Sequence, residues 1–292
     1  MDTQPAIAFR ADYRTMKTFY GERRGDDRLV AHYRLERTLA GRLLQATDSD
    51  RGQLYVECYA ELFEALPDHP QRDRTAADRR RRVRDLLVEL TPYLRADATV
   101  LEIGCGDALL SSALAARVAR VYAVDVTDAL IDRPALPGNV AVLLSRGTDL
   151  ALPADSVDLA ISDQLLEHLH PEDVRAHLAQ VRRALRPGGR YCCITPNRAV
   201  GPHDISCYFD AVAAGFHLRE YDSRSIAACF AEAGFRRVEY FSSLKGVRRR
   251  VPASLLRACE TLLLRLPATA RSRLSRSRIT RMIAGLEVVG IK

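Results

Sequence analysis

The sequence predicts an α/β fold, a mostly parallel sheet with helices on both faces, preceded by a helical region. Three observations predict it. From Thr99 onward, short apolar runs (TVLEIG, VYAVDV, NVAVLL, VDLAISD, RYCCIT) alternate with segments of helical period. Nearly continuous apolar strands separated by helices belong to parallel sheets covered on both sides. The first run stops on Gly104-Cys105-Gly106, and the next ends on Asp125 about twenty residues later, the spacing of a nucleoside-binding strand pair. Before residue 95 no such run occurs, and apolar residues recur at helical spacing.

Taken in order, residues 1–95 read as a helical lid or appendage, and 96–292 as the main domain. Leu29, Tyr33, Leu35, Leu39, Leu43 and Leu44 recur at the helical period, as do the apolar residues of Leu54–Leu66. Pro67 and Pro70 break the chain before a helix from about Thr75 to Leu94, with Val83, Leu86, Leu87 and Leu90 inward. After the first strand a helix is expected over Ala108–Ala119. The clearest helix, Pro171–Leu185, starts on Glu172 and Asp173, stops at Arg186-Pro187-Gly188-Gly189, and carries Val174, Leu178, Val181 and Leu185 on one face. A helix over Ser223–Ala233 ends at Gly234, and a strand over Arg237–Phe241 follows. A basic helical insertion of about 244–284 precedes a last strand, Leu286–Ile291.

Composition narrows the class. The chain has 292 residues, 47% hydrophobic and 28% charged, as in ordinary globular proteins. No apolar run is long enough to span a bilayer, and the N-terminus lacks the basic-then-apolar order of a secretory signal. Seven scattered cysteines with no CxxC pair point to a reducing compartment, read as the cytoplasm, and away from a zinc or disulfide framework. The net charge of +7 comes from arginine, clustered at Arg79–Arg82, at Arg248–Arg250 and over Arg271, Arg273, Arg276, Arg278 and Arg281. Such runs can meet nucleic acid, anionic membrane or a phosphorylated substrate; their plain reading is solvated helix faces. No aromatic residues interleave with them, so the stacking that single-stranded nucleic acid needs is lacking.

Gly104 and Gly106 fall where a parallel strand ends, the edge at which such sheets bind ligands. Glycine allows positive φ there and lets a ligand approach bare backbone, while Asp125 suits ribose hydroxyls. The dinucleotide fingerprint G-x-G-x-x-G would need a third glycine where this chain has Leu109. Asp107, directly after the second glycine, repels a pyrophosphate and suits a cation. S-adenosylmethionine carries a sulfonium and an ammonium and no phosphate, so the loop fits it better.

VLEIGCGDALL, VYAVDV, LPADSVDLAISDQLLEHLHPED and LRPGGRYCCITPNR, over about residues 98–242, resemble the successive motifs of class I S-adenosylmethionine-dependent methyltransferases. TPNRAVGPHDIS, GFHLREY and AEAGF resemble a bacterial subset acting on small molecules or glycans. The resemblance implies a Rossmann-like seven-stranded sheet whose last strand is antiparallel. It implies that Gly104, Cys105 and Gly106 pass under the methionine part, that Glu102 holds that loop, and that Asp125 with Val126 takes the ribose. Gly147 and Thr148 would border the adenine, and Asp163 and Gln164 would close the far side. Arg146 departs from the pattern: relatives commonly carry an acid there for the adenine amino group, and a guanidinium accepts no hydrogen bond. Either Asp149 takes over, a backbone carbonyl serves, or the contact is weak. Cys105 has no local base or cation to activate it, so its small size is what the loop uses.

Transfer to oxygen needs the acceptor held in line and a base to take its proton. His168, in Glu167-His168-Leu169-His170, and the pair His203-Asp204 after RYCCIT both leave the ligand-binding edge. Glu167-His168 alternatively only tethers the following helix, and Tyr208 and Phe209 either wall an acceptor pocket or are core. His168, His170 and His203 lack metal-ligand spacing, so no metal is expected. Ser162-Asp163-Gln164-Leu165 stands where methyltransferases of nucleobase amines carry D/N-P-P-Y/F, which disfavours that activity.

The expected function is therefore an S-adenosylmethionine-dependent methyltransferase (EC 2.1.1.-) acting on a small molecule or glycan, at oxygen. The alternatives are a lipid-linked acceptor reached by peripheral membrane contact through Ala253–Leu266, an RNA methyltransferase using its arginine faces, and a non-catalytic nucleoside-binding regulator, at which only Arg146 hints.

Overall fold

The computed structural model describes residues 7–72, 75–244, 247–277, 280 and 283–292. Its helices are α1 (Tyr13–Tyr20), α2 (Asp26–Gln45), α3 (Asp48–Ala65), α4 (Ala76–Leu90), α5 (Leu109–Ala115), α6 (Asp173–Ala184), α7 (Ser223–Glu232), α8 (Ala253–Leu264) and α9 (Ala268–Ser275). The strands are β1 (Thr99–Ile103), β2 (Arg120–Asp125), β3 (Val140–Leu144), β4 (Val157–Asp163), β5 (Leu185–Pro196), β6 (Arg237–Leu244), β7 (Val247–Val251) and β8 (Gly285–Ile291).

Among the described residues the eight strands form one sheet in the order β3-β2-β1-β4-β5-β8-β6-β7. Strands β1 to β5 pair in parallel, with Val100 beside Val121 on one side and Leu159 on the other. The last strand, β8, is antiparallel between β5 and β6, as expected. The count corrects the expected seven. Arg248–Arg250 form no part of a helical insertion; they lie on β7, an edge strand antiparallel to β6. Three consecutive arginines show no apolar alternation, so strand character there is invisible locally, yet charge is what blunts an exposed sheet edge. Arg248 turns back, its guanidinium 3.6 Å from the Phe241 ring centre, 2.8 Å from Tyr93 Oη and 3.2 Å from Glu287.

Alternation along the strands divides the core between the two faces. Val100, Val121, Leu159, Ile161 and Cys192 pack under α4 and α5 against Leu86, Leu90, Leu110 and Leu114. Leu101, Ile103, Ala160, Tyr191 and Cys193 pack on the other face against Val174, Leu178 and Val181 of α6, Ile226 and Phe230 of α7, and Leu256 of α8. Local chemistry sets several ends: Thr75 caps α4 through the Asp78 N–H, Asp222 and Ser225 form a reciprocal capping box on α7, and Gly234 takes φ +87° after it.

Two further apolar clusters fasten α1–α3 to the segment after β5. Met16, Leu29 and Tyr33 meet Ile205, Cys207, Tyr208 and Phe209, with the Tyr33 and Phe209 rings stacked at 4.3 Å. Leu39, Leu43, Tyr55, Cys58, Leu62 and Leu66 enclose Phe216. The helical region therefore sits on the loop that follows the last parallel strand, over the carboxyl edge of the sheet. Arg278 and Arg281 of the basic C-terminal cluster lie outside the described residues.

Candidate active site

Strand β1 has β2 on one side and β4 on the other, so the chain's winding reverses there, and the carboxyl ends of these strands flank a crevice. Gly104 (φ +74°) and Gly106 (φ +53°) form the loop leaving β1. A β-carbon on Gly106 would meet nothing within 4 Å, so that position opens a cradle beside Asp125, whereas one on Gly104 would stand 3.3 Å from Leu165 Cδ1. The Asp125 carboxylate accepts the Gly106 N–H at 2.9 Å and the Val126 N–H at 2.8 Å, one on each oxygen. Each oxygen keeps acceptor capacity for a pair of vicinal hydroxyls. Burial raises the Asp125 carboxyl above its ordinary range, against these two N–H groups. Glu102 lies beneath the loop and accepts from Ser111 of α5; burial pushes it up to about 8, so it is protonated at neutral pH. Burial also raises the Cys105 thiol, with Glu102 and Asp125 adding to the effect, so no thiolate forms there.

The loop after β3 carries Gly147 and Thr148. Gly147 has φ +81°, and a β-carbon on it would lie 2.8 Å from His177 Nδ1. A buried chain holds it from behind: Ser162 Oγ lies 2.7 Å from Tyr191 Oη, Tyr191 Oη lies 3.1 Å from His177 Nε2, and His177 Nδ1 lies 3.1 Å from the Gly147 carbonyl. The carbonyl only accepts, so the imidazole proton is on Nδ1. Thr148 Oγ1 is buried with no hydrogen-bond partner among the described residues, a free polar group where an adenine edge is expected. Arg146 turns away to α3, where it meets the Asp48 carbonyl and stands 3.2 Å from its carboxylate. Asp149 is exposed, whereas Thr148 is half-buried with its Oγ1 enclosed. The residues present fit a nucleoside-bearing donor.

Asp163 ends β4 and is held by an arginine of the Arg79–Arg82 run. Arg82 of α4 spans both its oxygens at 2.8 Å and 2.5 Å, and Arg79 reaches Asp107 at 3.6 Å. These two arginines face the crevice's acids, a partnership that appears only once α4 docks beside β4. Gln164, at φ +56°, follows and borders two cavities. One of about 620 Å³ lies against α4; the other, of about 320 Å³, lies between the helical region and the carboxyl edge.

The smaller cavity brings the three catalytic candidates together. His168, His203 and Asp204 line it with His32, His69 and His217, so five of the chain's seven histidines converge on one space. His168 Nδ1 donates to the Phe216 carbonyl at 2.9 Å, leaving Nε2 as the acceptor, and burial depresses its pKa to about 3, so the ring is neutral. Glu220 lies behind His203 and His217: its oxygens are 3.3 Å from His203 Nδ1 and 2.9 Å from His217 Nδ1, and one also takes the His203 N–H at 2.7 Å. Burial would lower His217, but Glu220 and Asp204 outweigh it and lift it to about 9. Those histidines in turn hold Glu220 well below the carboxylate range, against burial. Asp204 caps the turn Ile205–Tyr208 through the Ser206 N–H and takes the Gly215 N–H at 2.9 Å; burial pushes it up to about 6. Tyr208 walls the cavity, and Phe209 belongs to the aromatic core beside it.

His32, Glu36, His69, His217 and Glu220 went unread in the sequence. Only His217 and Glu220 offered a signal, three apart within GFHLREY; the others come from α2 and the α3–α4 connection and meet only in the fold. Tyr55 of α3 fixes the other wall by donating to the His168 carbonyl at 3.1 Å and accepting the His170 N–H at 2.7 Å.

A family model described as a methyltransferase domain matches residues 75–240. A protein of Mycolicibacterium smegmatis named "Probable S-adenosylmethionine-dependent methyltransferase" is 32% identical over 138 residues, 47% of this chain and 51% of the relative. A protein of Xanthomonas oryzae named "Ubiquinone biosynthesis O-methyltransferase" is 34% identical over 109 residues, 35% of this chain and 45% of the relative. The chain thus spans about half the length of the curated relatives it matches. Among solved structures, a methyltransferase of Haloferax volcanii in complex with the Trm112 activator is similar at a TM-score of 0.55 and 19% identity, covering 78% of this chain and 96% of that one, and shares the fold.

Proposed function

The chain belongs to the methyltransferase-domain family, and on that premise we propose that it is an S-adenosylmethionine-dependent methyltransferase acting on a small molecule or glycan at oxygen. When bound, S-adenosylmethionine supplies a methyl group already activated on a sulfonium. The chain's own residues supply positioning and proton handling. Gly104, Cys105 and Gly106 offer backbone to the donor, Asp125 its ribose acceptor, and Thr148 a hydroxyl at the adenine border.

The observation that carries the acceptor reading is the histidine-lined cavity, which ends on Gln164 beside the donor crevice. At about 320 Å³ it suits a small polar acceptor. His203 is the proposed base: its Nδ1 side is backed by the Glu220 carboxylate, which leaves Nε2 as the nitrogen that can take a hydroxyl proton. His168, held neutral, keeps its Nε2 lone pair available to the acceptor cavity. Asp204 positions the loop that carries His203. The helical region α1–α3 acts as the lid that excludes water. The O-methyltransferase name of the Xanthomonas relative supports oxygen as the acceptor atom.

RNA is disfavoured because Arg79, Arg82 and Arg248 engage internal acids and rings. One observation favours a second reading, an acceptor met at a membrane surface: Leu255 and Leu262 on α8 are 57% and 66% exposed, beside Arg257 and Arg265. Among the described residues no helix is long and apolar enough to cross a membrane. A cytoplasmic location is supported by the seven unpaired cysteines.

Calorimetry with S-adenosylmethionine and its demethylated product tests the donor site. Wild type binds both, and Asp125→Ala loses most of the affinity; equal heats for the two proteins overturn the assignment. Label from a methyl-tritiated donor, offered with a fractionated cell extract, tests the acceptor. It should enter the low-mass polar fraction; label in the RNA or lipid fraction replaces that reading with one of the alternatives.

A further inference from the structure

Among the described residues two groups of three side chains place metal-ligating atoms within 4.8 Å of one another, His32–Glu36–His69 and Glu167–His168–His217. In the first, both nitrogens of His32 are taken, Nδ1 at 2.9 Å from Arg24 Nη1 and Nε2 at 2.7 Å from Glu36, and the other Glu36 oxygen holds the Phe216 N–H. A cation there would have to evict an arginine. The second group is built differently.

We propose that Glu167, His168 and His217 bind a divalent transition-metal cation at the end of the histidine-lined cavity, where it polarises the acceptor hydroxyl. His168 Nδ1 donates to the Phe216 carbonyl, and His217 Nδ1 to the Glu220 carboxylate. Each ring is thereby oriented through Nδ1, neither Nε2 has a hydrogen-bond partner among the described residues, and a cation bound there displaces the Nε2 proton of His217. A backbone carbonyl behind one imidazole and a carboxylate behind the other are the outer partners that metal-binding histidines use. Glu167 is fully buried; Thr195 donates to its Oε2 at 2.9 Å, and Oε1 has no hydrogen-bond partner among the described residues. A buried carboxylate oxygen with an unfilled lone pair beside two imidazoles is an unfinished coordination sphere.

The surroundings favour positive charge. The carboxylates of Asp204 and Glu220 lie around the same space, Glu220 at 2.9 Å from His217 Nδ1. The one arginine on the cavity wall, Arg24, is held by Glu22. Two imidazoles and one carboxylate form a three-ligand set that leaves a coordination position for substrate oxygen, a set well matched to zinc. The cation draws electron density from the hydroxyl oxygen and lowers its proton affinity, and the released proton passes to His203. The inference rests on the methyltransferase reading for its purpose but not for its existence as a site.

The full chain, stripped with a chelator, is titrated with Co²⁺ under visible absorption and with Zn²⁺ and Mn²⁺ by calorimetry. Wild type should take up one equivalent and give protein-bound Co²⁺ bands. Glu167→Gln and His217→Gln, and Glu220→Gln through the outer sphere, should each weaken binding about 10- to 100-fold. His32→Gln should bind as wild type does, which keeps the result readable if a Glu167 variant fails to fold. No stoichiometric uptake by wild type, or uptake lost in His32→Gln and retained in His217→Gln, overturns the site. Donor calorimetry on the stripped protein separates the two readings. Donor binding without metal binding removes only the cation, and metal binding without donor binding removes only the methyltransferase.

Discussion

Arg51 of α3 spans both carboxylate oxygens of Asp173 at the start of α6, at 3.0 Å and 2.7 Å, with both side chains buried. Its Nη1 also meets Glu172 at 3.2 Å and the Ala46 carbonyl at 3.1 Å. This pair fastens the helical region to the segment that carries Glu167 and His168. Removing one partner leaves the other charge buried and unpaired, so Arg51→Ala should cost about 3–5 kcal/mol. Arg51→Lys should recover little, because an ammonium cannot reproduce the planar two-point contact. Urea denaturation measures both, and a loss below about 1 kcal/mol in Arg51→Ala would show that the pair does not hold the lid.

His177 should couple the β3–β4 loop to the sheet. His177→Phe breaks the chain from Ser162 through Tyr191 to Gly147 and leaves the tyrosine hydroxyl short of a partner. Donor affinity should fall about tenfold, the equivalent of one buried hydrogen-bonded group. Burial holds the His177 pKa down to about 4, below its unfolded value. Its contribution to stability is therefore present above about pH 6.5 and lost as pH falls through about 4. Thermal unfolding across that range should show a shallower acid limb in the variant than in wild type.

His217 should act in the opposite sense. Glu220 and Asp204 raise it to about 9, so its contribution is complete below about pH 6.5 and disappears as pH rises through 9. Glu102, at about 8, and Glu167, at about 7, act in the same direction at lower pH, where burial favours their protonated forms: their contribution is lost as pH rises from about 4.5 through those values. In the presence of chelator, unfolding temperature should decline across the alkaline range, and His217→Gln should flatten that decline. Unchanged slopes would mean that the Glu220–His217 contact does not carry the charge.

Cys105 should be dispensable as a nucleophile. Its thiol is raised by burial and flanked by carboxylates, so Cys105→Ala should bind the donor within about a factor of three of wild type, the scatter of a small neutral substitution. Gly106→Val, by contrast, forces a branched side chain into φ +53° and fills the cradle beside Asp125, and it should abolish donor binding. Comparable heats for the two variants would show that the loop does not face the donor.

Where function could be read from the chain alone, the signal was local. The β1 loop, Asp125 after β2 and the order of strands and helices rest on neighbouring residues: glycines that permit positive φ, apolar runs that must be covered, an acid at a strand end. The antiparallel last strand came from resemblance. Strand β7 escaped because three arginines in a row hide the alternation that marks a strand, and its role as an edge appears only beside β6. Arg79, Arg80 and Arg81 lie on an exposed helix face, and Arg82 departs from it for a related reason. Arg82 looks solvated on a helix wheel and becomes the partner of Asp163 when α4 docks beside β4.

The sequence by itself determined the elements of the proposed donor site, since one strand, one turn and one further strand end suffice to place Gly104, Gly106 and Asp125 at a common edge. Only the tertiary structure assembled the histidine-lined cavity proposed for the acceptor. His32 and His69 come from the helical region, His168 from the segment after β4, and His203, His217 and Glu220 from the segment after β5, separated by tens to well over a hundred residues of chain. Their meeting depends on apolar contacts of Leu39, Leu62 and Phe216 and on the Arg51–Asp173 pair. Long-range packing has no period and no spacing, so no pattern along the chain announces it.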